Sequence, residues 1–251
     1  MGYAEKAVES VSDAVCFSEV FDENFTVEVA DTAQVRREAF RLRYRVYCEE
    51  RNFEQREDFS DQMETDAFDD QSVQVIVRHR STGIPVGVVR LILRDSDESG
   101  YLLPIERSCR QLFDKKQLAR FNLRRYSVAE VSRFAVSKTA IAEVERRTTA
   151  KPSGASVLAA PGAGARGDSF QSIVLGLIAA LFQISAAHGV DHWYALMEPA
   201  LSRHLSRLAL RFTRIGPLIN HRGKRQPMLA SLADLRHDIS VKNPQLHELI
   251  R

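Results

Sequence analysis

The sequence predicts an α/β domain of mixed α+β type, in which helices flank a central, twisted mixed sheet. Strand-like segments of alternating hydropathy are interleaved with segments of helical periodicity, and an apolar helix expected at 168–188 suits the face of a buried sheet. No glycine-rich GxGxxG pattern follows the first strand, which excludes a doubly wound dinucleotide-binding fold. With 251 residues and no long linker, we expect one domain spanning 1–251.

The first half of the chain starts with a polar extension, 1–24, and then a strand at 25–30, where apolar and polar residues alternate. Asp31 and Gln34 have the spacing of a capping box and predict a helix that runs to about position 50. A loop with eight carboxylates between positions 54 and 70 follows, and such a run is usually solvated. The elements expected next are strands at 73–79 and 85–93, joined by a turn at 80–83, and a short helix at 104–118.

The second half contains a stretch rich in Ala, Gly, Pro and Ser at 148–167, which predicts a mobile insertion because it buries too little apolar surface. The apolar helix at 168–188 ends before Gly189, and Pro199 occupies the first position of a further helix that runs to about 210. The strands expected in this half lie at 127–136, 191–197, 212–219 and 226–232.

Composition excludes several classes of protein. A net charge of +2 argues against a nucleic-acid partner, and three scattered cysteines without a CxxC pair indicate reduced thiols in a cytoplasm. The longest apolar run, 173–182, is half the roughly twenty residues of a membrane span, so no transmembrane segment is expected. The chain has no zinc-ligand spacing of histidines, no EF-hand, no GxSxG and no Walker loop, so we expect no metal, hydrolase or nucleotide-triphosphatase site.

Polar residues in the predicted strands are the first candidates for chemistry. Glu130, Ser132 and Arg133 lie on the strand at 127–136, where charges are costly to bury without partners. Strict alternation places Arg133 on the opposite face from the other two, so a shared pocket requires a bulge. The alternative is a structural ion pair at a strand end. Arg90 interrupts the apolar strand at 85–93, and a snorkelling arginine is the alternative there.

Basic residues dominate the segment 199–233, which contains no acidic residue. Three of its arginines recur every fourth position along the helix and its end: Arg203, Arg207 and Arg211. This pattern favours a docking surface for an acidic protein or a phosphate, whereas the alternative is a solvated helix face.

Several motifs together resemble one family. RYRVYCEERNFE, DAFDD, PVGVVRL and EVSRFAV occur in the order and at the spacings of the acyl-homoserine-lactone (autoinducer) synthases, and they are similar to the N-acyl amino acid synthases. Both groups belong to the GNAT acyltransferases, and the resemblance covers about 25–232. It is nearest to the acyltransferases associated with the bacterial exosortase/PEP-CTERM sorting system.

The resemblance implies a set of site residues by position. Glu130, Ser132 and Arg133 carry catalysis, and the substrate-binding set is Arg43, Tyr47, Phe53, Asp66, Asp69, Arg90 and Phe134. Asp66 and Asp69 are expected to form a charge network with Arg43 and Arg90. Tyr47 replaces a phenylalanine of the synthases, and Phe53 replaces the tryptophan that encloses S-adenosylmethionine, which argues against that acceptor.

The activity implied is N-acyl transfer in the cytoplasm. A fatty acyl group would pass from an acyl-phosphopantetheine thioester, a co-substrate rather than a bound cofactor, to a small amine such as an amino acid. The donor would be an acidic acyl carrier protein docking transiently on Arg203, Arg207 and Arg211. Three alternatives remain open: an acyl-coenzyme A donor, a GNAT-like domain that binds a lipid or partner without turnover, and, ranked last, a nucleic-acid binder that uses the basic surface 199–233.

Overall fold

The structure, a computed structural model, describes residues 23–94, 101–121, 123, 127–149 and 163–251, with the backbone alone at 163–168. Its centre is an eight-stranded sheet in the order β1-β2-β3-β4-β5-β8-β6, and β7 pairs with β8. The strands are β1 (Phe25–Val29), β2 (Ser72–His79), β3 (Pro85–Ile92), β4 (Val128–Val136), β5 (His192–Met197), β6 (Thr213–Arg214), β7 (Ile219–Asn220) and β8 (Lys224–Ser231). The predicted mixed α/β fold is confirmed.

The helices flank both faces of this sheet. They are α1 (Ala33–Tyr44), α2 (Pro104–Cys109), α3 (Lys115–Leu118), α4 (Lys138–Thr149), α5 (Ala163–Ala187), α6 (Pro199–Arg207), α7 (Leu232–Lys242) and α8 (Pro244–Leu249). The predicted capping box at Asp31 is wrong, because the Thr32 side chain accepts the hydrogen bond from the N–H of Val35. Beyond α1 the chain continues as a π-helical turn over Arg45–Glu50.

The centre of the sheet opens between β4 and β5. These two strands pair in parallel through Val128 and His192, Ala129 and Trp193, and Glu130 and Tyr194. Beyond Glu130 and Tyr194 the described parts of the two strands have no further pairing, and the cleft lies in the opening between them. The other strand pairs that the structure describes are antiparallel.

A β-bulge interrupts β4 near this opening. The register runs from Val88 opposite Ala135 to Arg90 opposite Ser132, so β4 has one residue more than β3 over this interval. Arg133 lies in the bulge and has φ 52°. A left-handed φ is uncommon for a residue with a side chain and marks a locally strained backbone. The bulge that the sequence requires for a shared pocket is therefore present.

Helix α5 packs on one face of the sheet, and its side chains form the main core with β2, β3, β5 and β8. Helix α1 covers the other face through Ala39 and Leu42, which pack against Ile76, Val88 and Ala135. By length and hydropathy, Ser169–Ala187 passes the test for a membrane-crossing helix, but 67% of its most apolar window is buried inside this fold. It is therefore explained as the core helix, as the sequence predicts.

Several predicted boundaries are wrong. The expected insertion at 148–167 is helical at both ends, since α4 reaches Thr149 and α5 begins at Ala163; its centre lies outside the described residues, as does most of the 1–24 extension. In place of the strand expected at 212–219 the structure has two short strands, β6 and β7, and the helix expected at 104–118 is broken by a 3-10 turn, Arg110–Leu112. Helices α4, α7 and α8 lie where the sequence predicted no helix.

Candidate active site

Strand β4 distributes its side chains between two sides of the sheet. Val131, Phe134 and Val136 pack towards the core that contains α5, whereas Ala135 packs towards α1. The extra residue of the bulge breaks the alternation of side chains. Ser132 and Arg133 are therefore both on the side of the sheet away from α5, although they are consecutive. One strand therefore presents polar groups on one side of the cleft and Phe134 on the other.

Three arginines and three carboxylates form a charge network beside the cleft: Arg43, Arg90, Arg133, Glu64, Asp66 and Asp69. Arg43, fully buried, donates to Glu64 and to Asp69, at 2.6 Å in each case. Arg90, 1% exposed, donates to Asp69 at 2.6 Å and to both oxygens of Asp66 at 2.6 and 2.9 Å. Arg90 is thus neither snorkelling nor at an edge, and the predicted contacts of Asp66 and Asp69 are present.

Glu64 is a network member that the sequence did not single out. It accepts from Arg133 at 2.7 and 2.9 Å, and its residue is 1% exposed, although it belongs to the acidic loop expected to be solvated. Burial raises the pKa of Glu64, but hydrogen bonds from Arg133 and the charge of Arg43 outweigh burial and lower this pKa to about 2. The carboxylate therefore stays ionised and anchors the loop over the sheet.

The other side chains of the network complete a buried polar layer. The hydroxyl of Ser132 accepts from Nε of Arg90 at 2.9 Å, and the amide of Gln74, also missed by the sequence analysis, accepts from Arg43 at 3.1 Å. Arg43 and Asp69 lie behind the residues that line the cleft, whereas Asp66, Arg90 and Ser132 reach its surface. The network thus fixes the positions of these three side chains.

Glu130 lies outside the charge network. It lines the cleft, is 4% exposed, and its Oε2 accepts from the backbone N–H of Ile105 in α2 at 2.8 Å. Burial raises the pKa of Glu130 to about 7, against the opposing effects of this hydrogen bond and of Arg90. A carboxylate with a pKa near neutrality at the surface of a cleft has the property required of a general base.

Aromatic rings and further cations line the same cleft. The guanidinium of Arg133 lies 5.5 Å from the ring centre of Tyr47, and that of Arg225 lies 4.8 Å from the ring centre of Phe53. These two rings are themselves 6.4 Å apart. Burial is the main cause that raises the pKa of Tyr47, which therefore remains a neutral phenol. Arg222, which also lines the cleft, forms an ion pair with Glu54.

The cleft has an apolar part on the α5 side of the sheet. The volume of the whole cleft is about 520 Å³, within the range of small-molecule sites. Side chains of α5 line the apolar part together with side chains of β4, β5 and α6: Phe134, Val174, Ile178, Leu181, Trp193, Ala195 and Leu201. One cavity therefore contains both the buried carboxylate of Glu130 and an apolar wall.

Two other sets of residues lie away from this cavity. The arginine face, consisting of Arg203, Arg207 and Arg211, is exposed and is not part of the cavity lining. Among the described cysteines, Cys48 and Cys109 are buried, and burial raises the pKa of each thiol to about 11. Neither is a thiolate nucleophile at neutral pH.

Comparison with known protein families identifies a domain type for the part of the chain that contains this site. Residues 42–142 match the family model of the acetyltransferase (GNAT) domain, a range that contains the whole charge network and Glu130. The search of curated protein sequences gives no match.

Solved structures of synthases share the fold. TofI, in a ternary complex with an inhibitor and MTA, superposes with a TM-score of 0.55 at 21% identity, covering 89% of this chain and 99% of its own. The N-acyl amino acid synthase FeeM, from uncultured soil microbes, has a TM-score of 0.55 at 15% identity, covering 85% and 94%. The acyl-homoserine-lactone synthase LasI has a TM-score of 0.51 at 15% identity, covering 83% and 89%. At these identities the likeness concerns the fold, which is GNAT-like. Together, the domain match and this fold support an N-acyltransferase enzyme.

Proposed function

We propose that this protein transfers a fatty acyl group from an acyl-phosphopantetheine thioester to the amine of a small metabolite. The observation that carries the proposal is that one cavity, at the opening between β4 and β5, is lined both by Glu130, whose pKa burial raises to about 7, and by apolar side chains of α5. A polar acceptor and an apolar acyl chain require these two environments on either side of one reacting carbonyl.

In the proposed mechanism, the neutral amine nitrogen of the acceptor attacks the thioester carbonyl, so that an N–C bond forms. Glu130 accepts the proton that this nitrogen loses, directly or through a water. Collapse of the tetrahedral intermediate then breaks the C–S bond, and the proton on Glu130 neutralises the departing thiolate. The backbone N–H groups of the bulge at Arg133 and Phe134 stabilise the oxyanion of the intermediate.

The charge network orients the acceptor side of the cavity in this proposal. Arg90 and Arg133 are held by at least two carboxylates each, so their role is to fix the loop and the bulge rather than to exchange protons. Ser132, bound to Arg90, holds the strand beside Glu130. Tyr47 and Phe53 enclose the acceptor, and Phe134 contacts the acyl chain where the apolar part of the cleft begins.

The donor that we propose is an acyl carrier protein. The arginine face offers exposed positive charge to an acidic carrier. The N-terminal turn of α4, at the end of β4, is already filled by the carboxylate of Glu50, which accepts from the N–H groups of Lys138 and Thr139 at 3.1 and 3.2 Å. A helix N-terminus is a common phosphate site, so this internal carboxylate disfavours the diphosphate of coenzyme A there.

The proposal also covers the location of the enzyme, its cofactors and its acceptor. We propose a cytoplasmic, bacterial enzyme that needs no permanently bound cofactor and takes an amino acid or a related amine as acceptor. The phenylalanine at position 53 argues against S-adenosylmethionine. The resemblance to the exosortase-associated acyltransferases adds the proposal that the product belongs to that sorting system.

The experiment measures free carrier thiol released from a set of acyl-carrier thioesters in the presence of pooled amino acids and S-adenosylmethionine. Mass spectrometry of the products gives the acyl chain and the acceptor. Amine-dependent thiol release supports the proposal. If thiol is released from coenzyme A thioesters alone, the donor is acyl-coenzyme A and not an acyl carrier protein. If the protein binds both thioesters but releases no thiol from either, it is a lipid-binding domain and not an enzyme.

A further inference from the structure

An ion pair between Arg94 and Glu106 joins the two elements on either side of Glu130, and the mechanism above does not use it. Arg94 follows β3 by two residues, and Ile92, the last residue of β3, is the register partner of Glu130. Nη2 of Arg94 donates to both carboxylate oxygens of Glu106, on α2, at 2.8 and 2.9 Å. The two side chains are 7% and 12% exposed and lie behind the residues that line the cleft.

Both partners of this ion pair also hold the chain at the start of α2. Oε2 of Glu106 accepts from the backbone N–H of Leu103 at 2.9 Å, and Nη1 of Arg94 donates to the backbone carbonyl of Tyr101 at 3.0 Å. Ile105, one residue before Glu106, donates its backbone N–H to the carboxylate of the proposed general base at 2.8 Å. Because α2 has only six residues, these contacts fix the direction of that N–H group.

Charged groups face Glu130 from each of these elements. Burial is the main cause that raises its pKa, and the hydrogen bond from Ile105 opposes this effect. The charges of Arg90 on β3 and Arg133 on β4 also lower the pKa, whereas the charge of Glu106 on α2 raises it. Further titratable groups are Asp66 and Arg107, which line the cleft, and Tyr101, Cys109 and Tyr194, which share one buried cluster. Burial raises the pKa of this thiol to about 11 and of these two phenols to about 12, so all three are neutral at pH 7.

Arg94 determines how strongly the charge of Glu106 acts on Glu130. In the intact ion pair, the guanidinium offsets the field of the carboxylate. Without Arg94, an unpaired carboxylate remains near Glu130 and α2 loses its contact with the end of β3, so ionisation of Glu130 becomes less favourable. Without the charge of Glu106, an unpaired guanidinium remains instead, and ionisation becomes more favourable.

We propose that Arg94 and Glu106 are positioning residues: they hold the N–H of Ile105 on the carboxylate of Glu130 and balance the charge beside it, so that Glu130 is ionised where it must take the amine proton. This proposal rests on the transferase function proposed above. It requires that the two substitutions that break the ion pair act in opposite directions, which a contact needed only for folding does not do.

The test measures kcat/KM for an acyl-carrier thioester, with pooled amino acids as acceptors, at pH 6 and pH 8. The ratio of the two values is compared in the wild type, Arg94→Gln and Glu106→Gln; the amide oxygen of glutamine at position 106 keeps the contact with the N–H of Leu103. The matched controls are Arg78→Gln and Glu38→Gln. Arg78 on β2 donates to Glu38 on α1 at 2.6 Å, and neither residue lines the cleft.

Glu106→Gln is expected to raise the ratio of the pH 6 value to the pH 8 value about twofold or more, and Arg94→Gln to lower it about twofold or more. Arg94→Lys keeps the charge but not the contact with both oxygens, so its ratio is expected between those of the wild type and Arg94→Gln. The two controls keep the wild-type ratio. If both substitutions change the rates at the two pH values by the same factor, or shift the ratio in the same direction, the proposal is overturned.

A titration without substrate separates this proposal from the transferase function. The carboxyl carbon of Glu130 is followed by ¹³C NMR in protein labelled at glutamate, and its signal is assigned by its loss in Glu130→Gln. The titration midpoint is expected to move to higher pH in Arg94→Gln and to lower pH in Glu106→Gln; midpoints that stay at the wild-type value overturn the proposal. A wild type that releases no thiol overturns the transferase function, and the titration then tests the effect of Arg94 and Glu106 by itself.

Discussion

Replacing Glu130 by glutamine separates the stability of the fold from the chemistry of the site. The side chain is buried and its Oε2 accepts from the backbone N–H of Ile105, a bond that the amide oxygen of glutamine preserves. The substitution therefore removes the ionisable group while keeping the shape and the hydrogen bond. We expect the variant to be more stable than the wild type at pH 8 and much slower in acyl transfer.

The magnitude follows from the pKa. Burial raises the pKa of Glu130 from its ordinary 4.5 to about 7. Each pKa unit corresponds to about 1.4 kcal/mol, so the ionised carboxylate costs the native state about 3 kcal/mol. Because the folded-state pKa lies above the unfolded-state value, the wild type loses this stability as pH rises from about 4.5 to about 7. The glutamine variant does not.

The assay is urea unfolding of Glu130→Gln and the wild type at pH 5, 6, 7 and 8, with acyl transfer measured on the same samples. The difference in unfolding free energy is expected to grow through this range and to level off above pH 7. The transfer rate of the variant at pH 8 is expected to fall by about 100-fold or more, because a general base is lost. Glu49 is exposed, so Glu49→Gln is the matched control, and it is expected to change neither the pH dependence of the unfolding free energy nor the transfer rate.

Two outcomes refute this reasoning. A stability difference that does not change with pH means that the pKa of Glu130 is not raised. Full transfer activity in the glutamine variant removes Glu130 from the chemistry, whatever its pKa.

Three further predictions follow from the same structure. Glu64→Gln removes one of the three carboxylates that balance the buried guanidinium groups and leaves the charge network with one uncompensated positive charge, so denaturant unfolding is expected to show a loss of about 3–5 kcal/mol. Replacing the three residues of the arginine face with glutamate is expected to raise KM about tenfold for carrier thioesters and to leave KM for acyl-pantetheine unchanged. Glu50→Gln is expected to raise kcat/KM for acyl-coenzyme A several-fold relative to Glu49→Gln, because the first turn of α4 loses its internal anion.

Each of these predictions has a contradicting result. A loss below about 1 kcal/mol for Glu64→Gln would mean that the buried guanidinium groups keep enough water without it. An equal rise in KM for acyl-pantetheine would assign the arginine face to the fold or the cavity instead of the carrier. Unchanged use of coenzyme A by Glu50→Gln would place the donor phosphate elsewhere.

Local patterns in the sequence predict the strands that build the site. The alternation around positions 73–79 and 85–93 and the charges on β4 carry enough information to infer a bulge, because only an extra residue brings Arg133 to the side of Glu130 and Ser132. Helix α5 is predicted equally well from the sequence, since a long apolar segment must be buried.

The sequence does not predict the tertiary contacts of the site equally well. Glu64 is one of eight carboxylates in a single loop, and nothing in its spacing distinguishes it from its exposed neighbours. Its burial depends on Arg43 and Arg133, which lie 21 and 69 residues away in sequence.

Helix α7 was missed because the amphipathic character of its segment is weak. In α7 only Leu232, Leu235 and Ile239 are buried, and the helix is stabilised because these residues belong to the main core and because the helix packs against β8 and α8.

The central claim is that an amide bond forms at the expense of a thioester, and one measurement tests it directly. Carrier protein loaded with an acyl chain labelled at the carbonyl is incubated with the enzyme and the amino-acid pool, and the label is then treated with neutral hydroxylamine, which cleaves thioesters but not amides. We expect label to accumulate in a small, hydroxylamine-resistant product, and Glu130→Gln to form this product about 100-fold more slowly or slower still. Label that stays entirely on the carrier, or that appears only as free fatty acid, contradicts N-acyl transfer.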